Sequence, residues 1–253
     1  MRAVLLLLIL FLSACSSHDQ EQPSHWVASA PAGTEYTRID KEGNTVIPNG
    51  RLITPLGKQI MVAPHPFGLT LSPDGKTIIT SNSGTGPFSI SIISDFNFGQ
   101  PDVQQVPEGA KPNEGLLEAV FMGLAVSPDN KKVYVAGGQQ NKIYVFDLAT
   151  HKKLTEITCN RTFNQEDYSD GYIGDLVLSK DGSRLYAVDQ IGFRMVVIDA
   201  MKGEVIANVK TGRYPFGIAL SPDEKTAYVA NVGMFEYSYI KSLDKKDLRE
   251  TAA

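Results

Sequence analysis

From about residue 66 onward the chain is written in short apolar bursts separated by turn residues. Leu69-Thr70-Leu71, Leu124-Ala125-Val126, Leu176-Val177-Leu178 and Ile218-Ala219-Leu220 are too short for helices and predict β-strands. Each burst runs into serine, then proline or lysine, then aspartate and a turn residue. Proline presets φ, aspartate bonds its own backbone, and glycine accepts positive φ, so each of these stretches predicts a tight turn. A second run follows every turn, as in Val133-Tyr134-Val135-Ala136, with the β-branched and aromatic residues that strands favour. Lys142 to Asp147 and Arg194 to Asp199 predict third strands, and Leu154 to Thr158 and Val205 to Val209 predict fourth ones.

These runs belong to four segments that align with one another: residues 66–82, 121–138, 172–189 and 215–231. Their anchoring serines are Ser72, Ser127, Ser179 and Ser221, spaced by 55, 52 and 42 residues. A four-stranded antiparallel unit recurring at roughly 40–50 residues is the signature of a β-propeller blade. The expected fold is therefore all-β, a β-propeller of four-stranded antiparallel blades with four to five blades visible. Tyr228-Val229-Ala230-Asn231, following Ser221-Pro222-Asp223, is one letter from the YVTN signature, and Tyr134-Val135-Ala136-Gly137 is a looser copy. The chain resembles the YVTN-type bacterial β-propeller repeat family over about Arg51 to Tyr239. More narrowly, through the stretch Asn231 to Tyr237, it is similar to the propeller part of Bacteroidota surface proteins. In those proteins the propeller precedes an alkaline-phosphatase-like phosphoesterase domain. The resemblance implies seven blades, which would take roughly 300 residues. An incomplete seven-bladed propeller is accordingly expected, with no phosphoesterase domain in the sequence. The other reading closes a smaller ring. It makes Arg51–Thr54 and Ile60–Ala63 the outer strands of a blade whose inner strands are Phe216–Leu220 and Thr226–Ala230.

The N-terminus changes the picture of where this fold works. Met1-Arg2 is a short positive start, Ala3 to Leu12 an apolar run too short to span a bilayer, and Leu12-Ser13-Ala14-Cys15 ends it in small residues before a cysteine. This resembles a bacterial lipobox, which implies cleavage before Cys15 and lipidation of Cys15. Residues 1–14 then form a signal peptide, 15–50 the lipidated N-terminus and a polar tether, 51–240 the repeats, and 241–253 a charged tail. Ser16 and Ser17 follow the cysteine with no aspartate directly after it, a pattern that resembles outer-membrane sorting in Gram-negative cells. The expected location is the cell envelope, lipid-anchored at the outer membrane. Removing Cys15 leaves Cys159 without a disulfide partner, and its plain reading is a small core or loop residue. A formal net charge of −4 gives no basic surplus for phosphates, so nucleic acid is not an expected partner.

Candidate chemistry is sparse. The sequence holds no Gly-x-Ser-x-Gly, His-Glu-x-x-His or Cys-x-x-Cys. Gly75-Lys76-Thr77 belongs to a hairpin turn, since Thr70 stands where a phosphate loop needs its first glycine. Residues at the ends of the repeat strands are the candidates for a ligand face: His65, Asn82, Glu114, Glu118, Asp189, Arg213, Tyr214 and Asn231. His65 and Arg213 enter the first and fourth repeats, where Phe121, Met122, Tyr172 and Ile173 hold comparable places. Two long loops, 96–120 and 160–172, carry Glu114, Glu118, Arg161, Glu166, Asp167 and Asp170, with Asp175 just beyond. The acidic run lacks EF-hand spacing. No catalytic set and no cofactor are expected. The leading reading is a surface-anchored scaffold that binds a ligand or a protein, or supports a phosphoesterase partner. The alternative is a lactonase-like hydrolase with carboxylates on the channel face and a divalent cation. That reading requires several of His65, Glu114, Glu118, Asp175, Asp189, Arg213 and Asn231 to converge on one point.

Overall fold

A computed structural model describes residues 28–40, 43–84, 88–97, 99–109, 116–160, 162–163 and 165–233. The chain divides into two compact units at Ile60/Met61. In the first, β1 (Thr45–Val46) and β2 (Leu52–Ile53) form a small antiparallel hairpin. Asn49 and Gly50 close it: the Asn49 side chain accepts from the Arg51 amide at 3.1 Å, and Gly50 adopts φ 73°.

The second unit is a succession of antiparallel meanders. The first blade comprises β3 (Pro66–Leu71), β4 (Ile78–Asn82), β5 (Ser89–Ser94) and β6 (Asp102–Val106). The second comprises β7 (Leu124–Val126), β8 (Lys132–Ala136), β9 (Lys142–Asp147) and β10 (Lys153–Thr158). The third comprises β11 (Ile173–Leu178), β12 (Arg184–Asp189), β13 (Arg194–Asp199) and β14 (Glu204–Lys210). Then come β15 (Pro215–Leu220) and β16 (Ala227–Asn231), paired as a two-stranded sheet. The strands fall where the alternation puts them, except that β6 lies inside the stretch 96–120 read as a loop: Asp102 to Val106 alternates in burial and pairs with β5. The two outer strands that the smaller-ring reading calls for are not both formed, and the one that is pairs within its own unit. Leu52–Ile53 pairs with Thr45–Val46, and Ile60–Ala63 is not strand. A turn a few residues away closes with far less loss of chain entropy than a pairing over 160 residues.

The Ser-x-Asp turns explain the inner hairpins. Each serine hydroxyl donates to the aspartate two residues on, at 2.6 Å for Ser72–Asp74, Ser127–Asp129 and Ser179–Asp181 and 2.7 Å for Ser221–Asp223. The same oxygens accept the amides of Thr77, Lys132, Arg184 and Thr226 at 2.9–3.0 Å. The residue after each aspartate is left-handed: Gly75, Asn130, Gly182 and Glu224.

Two apolar cores hold adjacent blades together. One joins Ile79, Ile90 and Ile92 to Leu124, Val126, Val133 and Phe146. The other joins Ala125, Tyr134, Ala136 and Val145 to Leu176, Leu185, Ala187 and Val196. Inner strands approach closely at two glycines. A Cβ on Gly68 would lie 1.8 Å from the Met122 carbonyl oxygen, and one on Gly123 would lie 2.8 Å from the Asp175 Cα. The third repeat carries one residue more, Asp175, between its glycine and its apolar burst. Each of β3, β11 and β15 shifts register by one residue near its start, so the break between Ile173 and Leu176 is not peculiar to the third repeat. No helix among the described residues is long and apolar enough to cross a membrane.

Candidate functional site

In a four-stranded meander, the start of the inner strand and the second-to-third hairpin lie on the same face. The inner strands β3, β7, β11 and β15 therefore bring their N-terminal ends together, and the Gly123 amide bonds the Gly174 carbonyl at 2.9 Å. One aromatic ring from each repeat gathers there. Phe121 lies 5.1 Å from Phe67, 5.0 Å from Tyr172 and 6.0 Å from Phe216 between ring centroids. Its contacts with Tyr172 and Phe216 are edge-to-face, the geometry that aromatic quadrupoles prefer. Phe67 is exposed and the other three are half-buried. Burial pushes the Tyr172 phenol up from its ordinary value. His65 extends the cluster, stacking 5.9 Å from Phe67 with its Nδ1 3.2 Å from the Ser83 hydroxyl.

Beside this cluster lies a pocket of about 580 Å³, lined by residues that include Tyr168, Phe193, Lys210 and Arg213. Lys210 pairs with Glu166, which also accepts from the Tyr168 hydroxyl. Those two donors hold the Glu166 carboxyl below its ordinary value, and the ion pair raises Lys210. Phe193 and Tyr214 face each other at 5.8 Å, and both adopt positive φ, 48° and 51°. Below the pocket the Tyr168 ring covers Arg194 at 3.7 Å. Arg194 is fully buried. Its guanidinium donates to Asp189 at 2.8 Å, to the Asn208 side chain at 2.9 Å and to the Cys159 carbonyl at 2.8 Å.

The sequence candidates fall into three groups. His65, Arg213 and Tyr214 sit on the strand-head face, within the cluster or the pocket. Asn82 and Asp189 are inside the fold. Asn82 donates to Ser89 and Ser91, and Asp189 accepts from Arg194 and from the amides of Tyr172 and Gly192. Both end a second strand that has a third strand beside it, so their side chains serve the sheet rather than its rim. Glu118 is exposed and pairs with Lys142 at 3.1 Å, and Asn231 is exposed at the end of β16. Asp175 accepts the Leu176 amide and, across the junction, the Ile218 amide. Burial raises its carboxyl above the ordinary range. Cys15, Glu114 and Arg161 lie outside the described residues. Glu118, Asp175 and Asp189 thus each answer to a different neighbourhood. Among the described residues no three His, Cys, Asp or Glu side chains gather as metal ligands would. Sequence reasoning missed Phe193, Tyr168 and Lys210. The available signal was Phe193 itself, an aromatic at the left-handed hairpin position that Asn141 fills in the blade before.

No family model matches the chain, and no curated protein matches it. Solved structures do. Hydrazine synthase of Kuenenia stuttgartiensis aligns with 24% identity and a TM-score of 0.52, over 71% of this chain and 46% of that one. A protein of unknown function from Desulfotomaculum acetoxidans aligns with 18% identity and a TM-score of 0.54, over 72% and 53%. A proposed 6-phosphogluconolactonase from Bacteroides uniformis aligns with 20% identity and a TM-score of 0.53, over 74% and 56%. The chain spans about half the length of these structures. Together with the four-stranded antiparallel blades, these likenesses make the fold a β-propeller.

Proposed function

We propose that this chain is a lipoprotein of the bacterial cell envelope, a YVTN-type propeller whose strand-head face binds a ligand or a partner protein. One observation carries the reading. Four aromatic side chains, one per repeat, meet at the heads of the inner strands and remain partly open to solvent. Aromatic side chains gathered on a rigid scaffold supply contact area at little entropic cost, which is how binding faces are built. The lipobox around Cys15 supports a membrane anchor, and Ser16 supports outer-membrane sorting. The partner class supported by the family resemblance is a phosphoesterase, on the same or another chain.

The test is photocrosslinking in cells that express the full chain with p-benzoylphenylalanine at Tyr172 or, as control, at Lys131 on the opposite turns. The expected result is an adduct from position 172 alone, of a mass other than a second copy's, that is lost when Cys15→Ser releases the protein from membranes. No adduct, or equal adducts from both positions, would sink the reading.

A further inference from the structure

The pocket beside the aromatic cluster has a chemistry of its own. Four charged side chains line it, and their charges cancel: Glu166 and Asp167 against Lys210 and Arg213. An anion would meet two carboxylates there, and a cation would meet an ammonium and a guanidinium. A zwitterion would compete with the pair that Lys210 and Glu166 already make. A wholly apolar ligand would strip water from these groups and offer them nothing. What the pocket does offer is neutral hydrogen bonding. Glu166 takes Lys210 on one carboxylate oxygen and the Tyr168 hydroxyl on the other. Those contacts leave each oxygen a lone pair and the ammonium two protons. Acceptors and donors stand side by side, oriented by the bonds they already make.

The walls are aromatic and firmly held. Tyr168 is buried, with its ring laid on Arg194 at 3.7 Å. Arg194 is itself fixed by Asp189, Asn208 and the Cys159 carbonyl. Phe193 is half-buried and faces Tyr214. Its φ of 48° is one that a bulky side chain adopts at a conformational cost. The matching position of the blade before holds Asn141 at 49°, a residue type that tolerates this region. Such strain argues for a use of the ring rather than of the turn.

We propose that this pocket binds a neutral pyranose sugar. One face of a pyranose carries C–H groups, which match the electron-rich face of an aromatic ring such as Phe193. Its rim carries hydroxyls, each both donor and acceptor, which match a carboxylate beside an ammonium. The volume of about 580 Å³ lies within the roughly 300–1,000 Å³ of small-molecule sites. The inference rests on the strand-head face being a binding face, but it puts the sugar outside the Phe121 cluster.

The test is saturation-transfer NMR on the full chain, extracted in a detergent without a sugar headgroup. The probes are glucose, galactose, mannose and N-acetylglucosamine, each at about 10 mM to reach millimolar affinities. Transfer to the ring C–H protons of at least one of them is expected. Phe193→Asn is expected to weaken that sugar at least about tenfold with the thermal midpoint unchanged or raised, because asparagine suits the left-handed φ. Lys210→Met, on the exposed rim, is expected to weaken it about tenfold with unchanged circular dichroism. Should Phe193→Asn melt lower than wild type, Lys210→Met alone decides. No transfer to any of the four sugars, displacement of the sugar by equimolar phosphate or glycylglycine, or indifference to either variant overturns the proposal. A Tyr172 adduct without sugar binding overturns this inference alone. Sugar binding without an adduct counts against a partner at Tyr172 and leaves the pocket's assignment standing.

Discussion

Arg194 keeps a full positive charge where no solvent reaches it, and every polar contact around it is needed to make that tolerable. Its ion pair with Asp189 is weak grounds for net stability, but removing one partner strands the other. Arg194→Ala should therefore cost about 3–5 kcal/mol, read from the midpoint of urea unfolding. Asp189 also shows what a single repeat cannot reveal. Asn82, Asp189 and Asn231 end the second strand in their repeats and look alike in sequence, yet the first two are buried and the third is exposed. The difference is the presence of a third strand alongside, a fact about neighbours rather than about the residue. The four turn aspartates, by contrast, were fully legible from Ser-x-Asp. Hydrogen bonds, first from the serine hydroxyl and then from a backbone amide, hold their carboxyls below the ordinary 3.8. Asp181 reaches about 2. Folded values below unfolded ones mean that this contribution is present above the unfolded value and is lost as pH falls through the folded one. Thermal melts should show stability falling between about pH 4 and pH 2, and Asp181→Asn should shrink that pH dependence.

At the level of elements, the third and fourth strands of the second and third blades fell where the apolar runs placed them: β9 is buried on both faces, with Ile143 and Val145 in one core and Tyr144 and Phe146 in the other, whereas β13 alternates. The glycines separate into two kinds that sequence does not distinguish. Gly75 needs its left-handed φ of 70° but has open space around it, so Gly75→Ala should cost about 1 kcal/mol. Gly123 has ordinary φ, but a Cβ there would meet the backbone of Asp175 and Gly174 at 2.8–2.9 Å. Backbone at a junction cannot step aside as a side-chain tip can. Gly123→Ala should cost more than Gly75→Ala, about 1–3 kcal/mol, in the same urea titration.

For the whole molecule, the repeat period was enough to reach the blade and the order of the strands. The site was legible only where repeats place equivalent residues: Phe121, Tyr172, His65 and Arg213 stand at strand entries. The pocket beside them draws on the loop from Cys159 to Tyr172, the β12–β13 hairpin and the end of β14, three pieces far apart in sequence and unrelated by the repeat. Periodicity does not mark such pieces; the pairing of β13 with β14 sets Phe193 beside Thr211, and the contacts of Lys210 with Glu166 and of Arg194 with Tyr168 bring in the loop. The extra residue Asp175 has a consequence for how such a chain assembles. Similar repeats risk docking in the wrong order while folding, the characteristic error of repetitive proteins. Here each junction has its own key. Gly68 fits under the Met122 carbonyl, the Gly123 amide meets the Gly174 carbonyl, and the Asp175 carboxylate takes the Ile218 amide. A blade offered to the wrong neighbour would leave that carboxylate desolvated without its donor, so the one irregular repeat helps proofread the order of all four.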